Sequence, residues 1–174
     1  GKELAVKAGA AQEWGNPLRL RRPLNHGVKV IMAHAGSLGK SRDLDHSGRK
    51  TKNFDLAIRL LEDPQYKDLL FADISAITQI NRLSKPLITL LAREDLQSRL
   101  VNGSDYPLPA VNCLIWTGKL QRLGMITGEE RRHLNEIYAY NPLLFDFVLK
   151  RTIRHPESGR RFPPSVFHAN PALP

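Results

Sequence analysis

Polar residues stand where three short apolar stretches of this sequence end: His34, then Asp73 with Ser75, then Asp105. A neutral imidazole and a carboxylate can ligate a divalent metal and handle the proton of a metal-bound water. His34 and Asp105 are therefore the candidate catalytic and metal-binding residues, with Asp73 and Ser75 as candidate pocket residues. Each also has a structural alternative: His34 as a satisfied core histidine, Asp73 as the cap of a short helix near Ala76, and Asp105 as a turn former.

Three other residues have side chains suited to a site. His46 lies in a loop with Asp43 and Asp45, where it could contact substrate, although a solvated loop face is the favoured interpretation. Arg82, in ITQINR, could bind a substrate carboxylate through two parallel hydrogen bonds, against the favoured alternative of a surface arginine. Cys113 is interpreted as a core residue of a helix.

The elements that would position these residues alternate between strand and helix. The strands are predicted at VKVIMAH (28–34), LLFADIS (69–75) and RLVNGSD (99–105). The first is almost continuously apolar, which is typical of a parallel strand buried on both faces. This alternation favours an α/β fold with a parallel sheet, in which ligands gather at the carboxyl ends of the strands.

Helices are predicted between and after the strands, over residues 2–13, 17–25, 54–63, 84–96, 111–124, 128–139 and 141–154. Thr127 and Glu130 form a capping box, and Asn141-Pro142 opens the last helix. The polar stretch 35–53 is a long loop of the kind that tends to be functional. Residues 155–174, with five prolines, are predicted to form an irregular tail packed on the surface.

Composition excludes several classes of protein. The chain has 174 residues, 41% of them hydrophobic and 25% charged, which is ordinary for a folded domain. No apolar run approaches the ~18–20 residues that cross a bilayer. Because a single cysteine cannot form an internal disulfide, we expect a reducing compartment and a cytoplasmic protein. The net charge of +9 comes from scattered cations without interleaved aromatic residues, which argues against nucleic-acid binding.

Four segments, VIMAHAG, LLFADISA, RLVNGSDYP and YNPLLFDF, resemble the C-terminal half of the amidohydrolase-related metal-dependent hydrolases. These are (β/α)8 TIM barrels whose relatives include the aminocarboxymuconate semialdehyde decarboxylase group. The resemblance implies that His34 ends the sixth barrel strand and binds a metal or its water. Asp105 would end the eighth strand as metal ligand and general base, while Asp73 and Ser75 line the pocket from the seventh.

The family's first-strand H-x-H pair, its early acidic or modified-lysine ligand and its fifth-strand histidine have no counterpart here. Gly1-Lys2-Glu3 resembles the residues just after that fifth-strand histidine, and a full barrel needs about 250 residues. The expected fold is therefore α/β, the C-terminal part of a TIM barrel (about strands 6–8), incomplete on its own. Residues 1–154 would form this half barrel and 155–174 the tail. The missing N-terminal half is the expected partner and would supply most of the metal ligands.

The expected function is part of a metal-dependent hydrolase in which a metal, with zinc as the expected ion, activates water against an amide, ester or lactone of a small-molecule substrate. Asp105 would accept the proton and His34 would stabilise the developing charge, with Arg82 and His46 as further pocket candidates. A decarboxylase on the same metal site is the first alternative. A non-enzymatic module that binds an acidic partner or nucleic acid through the basic cluster from Lys150 to Arg161 is the second, and a scaffold without catalysis is the third. Whether the chain forms a homo-oligomer stays open.

Overall fold

Two compact units make up the chain, which a computed structural model describes over residues 12–46, 48–83 and 85–173. Unit 1 is assigned to Gly1–Ile74, Arg99–Val101 and Asn170–Pro174, and unit 2 to Ser75–Ser98 and Asn102–Ala169. The helix predicted over residues 2–13 lies almost wholly outside the described residues.

Unit 1 contains the strands β1 (Val30–Met32), β2 (Lys40–Arg42), β3 (Lys50–Lys52), β4 (Leu70–Asp73) and β5 (Leu100–Val101), with the helices α1 (Arg21–Asn25) and α2 (Asn53–Glu62). A 3-10 turn at Pro17–Leu20 precedes α1, and Asn16 caps it. The predicted helix over 54–63 is confirmed as α2, which buries Phe54, Leu56, Ala57, Leu60 and Leu61.

The strands β1, β4 and β5 form a parallel sheet in the order β1-β4-β5, which confirms the predicted parallel pairing. Met32 pairs with Ala72, which pairs with Leu100 on its other side. The central strand β4 is buried at Leu70, Phe71 and Ala72. The prediction that the first strand is buried on both faces is wrong, since Ile31 of β1 is 49% exposed. The reason is position, because β1 has only one neighbouring strand among the described residues.

The predicted loop over 35–53 contains a β-hairpin. The strands β2 and β3 pair antiparallel, with Lys40 opposite Lys52, Ser41 opposite Thr51 and Arg42 opposite Lys50. Hydrophobic periodicity does not reveal these strands, because their alternation is between charged and hydroxyl residues rather than between polar and apolar ones.

Unit 2 contains the helices α3 (Lys85–Ala92), α4 (Glu94–Gln97), α5 (Thr117–Arg122), α6 (Gly128–Tyr140) and α7 (Pro142–Thr152). The capping box of Thr127 and Glu130 at the start of α6 is confirmed, as is the Asn141 cap of α7. The helix predicted over 84–96 is divided at Arg93, whose backbone leaves the helical region.

The single helix predicted over 111–124 is wrong, since only Thr117–Arg122 is helical. Trp116 is extended, and its indole N–H donates to the carbonyl oxygen of Cys113 at 2.9 Å, so the preceding residues form a turn. Residues 155–169 are irregular apart from a 3-10 turn at Pro164–Phe167, and bury Phe162 and Val166. Among the described residues, no helix has both the length and the apolar character needed to cross a membrane.

Candidate functional site

The turn after β1 holds His34 in a left-handed backbone conformation, with φ at 53° for His34 and 47° for Ala35. Gly36 follows with φ at 59°, and a Cβ at that position would lie 2.9 Å from the Cβ of Ala57 on α2. Only glycine allows this approach without strain. The sequence AHAG therefore folds as a buried tight turn that fixes His34 at the carboxyl end of β1.

Asp73, the last residue of β4, contacts this turn. Its Oδ1 accepts a hydrogen bond of 3.0 Å from the backbone N–H of His34 and lies 3.8 Å from the imidazole Nδ1. The first contact is a hydrogen bond, whereas the second is too long to be one. No helix begins near Ala76, where φ is 53°, so the alternative of Asp73 as a helix cap there is wrong. The carboxylate instead ties the ends of two neighbouring strands together.

The donor types at this edge suit a metal, but their number in unit 1 does not complete a site. His34 and Asp73 offer an imidazole nitrogen and a carboxylate oxygen, both of which zinc accepts, while a catalytic zinc takes three protein ligands. Over residues 12–46, 48–83 and 85–173, no three histidine, cysteine or carboxylate side chains are grouped so that they could hold a metal ion. A complete site would therefore need ligands beyond these two residues of unit 1.

Asp105 lies in unit 2, four residues after β5 ends. Its φ is 57°, and its carbonyl oxygen accepts a hydrogen bond of 2.9 Å from the N–H of Leu108. The N–H of Tyr106 donates to Oγ of Ser104 at 3.2 Å. These bonds make a turn of the segment, so the turn-forming role considered for Asp105 is present; a chemical role is compatible with it.

Left-handed residues other than glycine mark all three strand ends. Within the described part of the chain these residues are His34 and Ala35 after β1, Ala76 after β4 and Asp105 after β5. Each such conformation costs about 1–3 kcal/mol and persists where the surrounding structure imposes it, typically at functional sites. The strained residues therefore lie in the same three segments, after β1, β4 and β5, as the candidate site residues of the sequence analysis.

A buried ion pair supports the segment that carries Asp105. Lys150 and Asp146, one turn apart on α7, are 0% and 2% exposed, and their Nζ and Oδ2 atoms are 2.5 Å apart. Lys150 Nζ also donates to the carbonyl oxygen of Gly103 at 2.7 Å. Burial raises the pKa of the Asp146 carboxyl, the positive charge of Lys150 opposes that rise, and the negative charge of Asp105 adds to it. The sequence interpretation missed this pair, although an i, i+4 ion pair within an apolar helix was a visible signal.

Ser75 and Arg82 both lie in unit 2, and each is only 3% exposed. The favoured interpretation of Arg82 as a surface arginine is therefore wrong. Its backbone N–H donates to the carbonyl oxygen of Gln79 at 2.8 Å, which closes a turn directly after the buried stretch 74–79. The role of Arg82 as a pocket residue stays a prediction.

His46 belongs to an ionic network in unit 1. Asp43, 2% exposed at its side chain, accepts hydrogen bonds of 2.9 Å from Nη1 and Nη2 of Arg59, and lies 3.2 Å from His46 Nδ1. Asp45 is paired with Arg21 as well as with Arg59. The Arg59 guanidinium holds the pKa of Asp43 well below its usual range, and Arg21 does the same for Asp45 to a smaller extent. The His46 side chain is 68% exposed, as expected for a solvated loop face.

The basic cluster at the end of the chain is largely engaged inside unit 2. Lys150 is buried, Arg154 and Arg161 pair with Glu130, and Arg160 pairs with Glu94. Arg151 lies over the ring of Phe167 at 5.2 Å. Much of this positive charge is therefore balanced within the unit, which weakens the alternative of a binding surface from Lys150 to Arg161.

Unit 2 also has a cavity of about 760 Å³, lined by residues 111–122, by α6 and by Phe145. No pattern in the sequence indicated it. Cys113, interpreted as a core residue, is exposed, because the turn in place of the expected helix turns it outward.

Comparison with known proteins adds no relative: no family model, no curated protein and no solved structure matches this chain.

Proposed function

We propose that this chain is part of a metal-dependent hydrolase in which His34 and Asp105 serve a metal-activated water. The proposal is supported by one observation: residues suited to metal-dependent hydrolysis and strained left-handed backbone conformations occur together after the strands. His34, Asp73 and Asp105 follow three neighbouring parallel strands, and both His34 and Asp105 adopt a left-handed backbone. The carboxyl edge of a parallel sheet is where α/β enzymes assemble their sites.

The exposed edge of the sheet provides a second, weaker support. Among the described residues β1 pairs only with β4, and its Ile31 is 49% exposed. An apolar edge strand of this kind is a surface that another strand can cover. In the proposed parent protein, that strand would belong to the N-terminal half of a barrel, which would also contribute the remaining metal ligands.

In this proposal the residues of the chain have separate roles. Asp105 takes up a proton from the attacking water, and His34 donates a hydrogen bond to the oxygen on which negative charge develops. Asp73 positions His34 through the backbone N–H, and Ser75 and Arg82 line the pocket. A bound divalent metal would supply the lowered pKa of the water that this chemistry needs.

The experiment begins with the intact mass of the protein as its source cell makes it, against the 19.6 kDa of this chain. A mass about twice as large agrees with a whole barrel, and metal analysis and ester or lactone hydrolysis are then measured on that protein. Asp105→Asn should abolish hydrolysis with an unchanged circular dichroism spectrum. Asp68→Asn is the matched control, because Asp68 is exposed and precedes β4 at the opposite end of the strand. Full activity of Asp105→Asn would refute the proposal.

A further inference from the structure

The β2–β3 hairpin presents four cations on one face. Side chains two residues apart on a strand share a face, and residues in register stand directly opposite each other. Lys40 therefore faces Lys52, and Arg42 faces Lys50, while Ser41 and Thr51 occupy the other face. All four cationic residues are exposed, and among the described residues none of them makes an ion pair.

Two like-charged pairs across a hairpin work against its formation. Cross-strand neighbours lie about 5 Å apart, where like charges are destabilising by a few tenths of a kcal/mol. Asp43 and Asp45 are already engaged with Arg59 and Arg21, so they relieve little of this repulsion. Asp55 offsets part of the positive charge around the adjoining cavity, and the excess that is left would favour a bound anion.

The hairpin is fixed in place from both ends. The N–H of Asp43 donates to the carbonyl oxygen of Arg49 at 2.8 Å, and the N–H of Asn53 donates to that of Gly39 at 3.0 Å. Side chains add to this, since the Asn16 amide donates to the carbonyl oxygen of Arg42 and the Asn53 amide to that of Leu38, each at 2.9 Å. The cations therefore stand on a rigid support, which reduces the ordering cost of binding.

The shape favours a compact ligand. A cavity of about 470 Å³ is lined by Lys40, Lys50, Lys52 and Arg49, within the range of small-molecule sites. Asp43 and Arg59 also line it but neutralise each other, and His46, Thr51 and Asp55 complete the wall, whereas Arg42 does not line it. On the two strands, the four hairpin cations occupy a patch of about 5 by 7 Å without an aromatic side chain for base stacking. Such a patch matches two adjacent phosphates better than a nucleic-acid strand.

We propose that the hairpin face formed by Lys40, Arg42, Lys50 and Lys52 binds a small molecule that carries two linked phosphate groups, of the pyrophosphate or nucleoside diphosphate class. Two phosphates carry enough negative charge to balance the four cations, and lysine is a common point-charge partner of phosphate. This inference is independent of the proposed hydrolase, since it uses none of the strand-end residues.

The test is calorimetric titration of the chain with inorganic pyrophosphate, and with orthophosphate and sulfate at matched ionic strength. Pyrophosphate should bind at least about tenfold more tightly than either single anion. The double variant Lys40→Gln/Lys50→Gln should weaken pyrophosphate binding about tenfold or more. The control variant Arg22→Gln/Lys67→Gln removes the same charge from exposed positions outside the hairpin and should change it less than about twofold.

Three outcomes would overturn the proposal. Equal affinity for pyrophosphate and sulfate, or equal losses in both double variants, would mean that only the net charge of the chain attracts anions. A short single-stranded DNA that binds far more tightly than pyrophosphate and displaces it would make the partner a nucleic acid. Amide chemical-shift changes on pyrophosphate addition that avoid residues 40–42 and 50–52 would place the ligand elsewhere. Circular dichroism of both double variants establishes that they fold.

Discussion

The ion pair of Asp43 with Arg59 in unit 1 and that of Asp146 with Lys150 in unit 2 are here called the two ionic anchors. They differ in how many hydrogen bonds their carboxylates accept. In unit 1, Asp43 accepts hydrogen bonds from both Nη atoms of Arg59 and from the N–H of Asp45, with His46 beside it. In unit 2, Asp146 has the single cation Lys150, and both side chains are buried. The pKa of Asp43 is lowered, whereas burial raises the pKa of Asp146 despite its lysine. The balance between burial and the number of hydrogen bonds to the carboxylate, rather than the presence of an ion pair, decides whether a carboxylate favours its charged form.

Both anchors hold segments that the two proposals use. Asp43 ties the base of the basic hairpin to Arg59 of α2, and Lys150 ties the carbonyl group of Gly103, two residues before Asp105, to α7. The anchors differ in their environment, since the Arg59 side chain is 37% exposed and that of Lys150 is 0% exposed. Four changes to the protein or its solvent test this contrast, from the largest expected effect to the smallest.

Lys150→Met should be the most damaging of the changes. It leaves the carboxylate of Asp146 buried without a cation, which costs about 3–5 kcal/mol of unfolding free energy. The double variant Lys150→Met/Asp146→Leu should recover the part of this loss that comes from the uncompensated charge, although the carbonyl oxygen of Gly103 stays without its donor. Urea unfolding followed by circular dichroism measures both. A loss below about 1 kcal/mol for the single variant would mean that solvent reaches Asp146.

Asp43→Leu should lower the free energy of unfolding by about 1.5–3 kcal/mol, the range for hydrogen bonds to a charged group. Unlike the double variant of the other anchor, Asp43→Leu/Arg59→Leu should not recover this loss of stability. The N–H of Asp45 donates to Asp43 Oδ1 and would stay without its acceptor, and Asp45 would lose one of its cations. The same urea experiment tests this. Recovery to the wild-type value would show that the two anchors behave alike and that donor number does not distinguish them.

Acidification should change the contributions of Asp43 and Asp146 to the free energy of unfolding in opposite directions. The folded-state pKa of Asp43 lies well below the unfolded value of 3.8, so its stabilisation is complete above that value and is lost progressively as the pH falls below it towards the folded value. The folded-state pKa of Asp146 is raised, so its contribution grows on acidification. Each unit of pKa difference is worth about 1.4 kcal/mol of unfolding free energy. Between about pH 6 and pH 2, Asp43→Asn should lose stability less steeply than the wild type, and Asp146→Asn more steeply. Parallel curves for all three proteins would contradict the assignment.

The sequence predicted the parts of this fold that depend on local patterns. The three parallel strands, the helix α2, the Thr127 capping box and the Asn141 cap each follow from residues close together in the chain. The polar residues near the strand ends were also visible, although the strands are shorter than predicted, so that His34 lies two residues and Asp105 four residues beyond its strand. The role of His34 and Asp105 in one metal site, with Asp73 lining its pocket, stays a prediction.

The parts that escaped prediction depend on distant partners. The burial of Arg82 and the clamp between Asp43 and Arg59, 16 residues apart, have no local signature. The hairpin has charged residues at the positions where strands usually show apolar ones, so periodicity did not indicate it. Lys150 was placed in the basic cluster that ends at Arg161; its i, i+4 spacing from Asp146 indicates an ion pair but does not tell a buried pair from an exposed one.

Raising the salt concentration should produce the smallest change in stability, confined to the hairpin region of unit 1. Asp45 and its partners Arg21 and Arg59 are partly exposed, so raising the salt from about 0.1 M to about 1 M should screen these contacts. The expected loss is below about 1 kcal/mol, seen as faster amide exchange within residues 39–53. Salt also relieves the repulsion between the hairpin cations, which acts in the opposite direction. Asp45→Asn separates the two effects, because it keeps the repulsion and removes the ion pairs. If salt slows amide exchange in Asp45→Asn but not in the wild type, then the two effects of salt on the hairpin oppose each other. Amide exchange in α7 around Lys150 should not change with salt, because the Lys150–Asp146 pair is shielded from solvent.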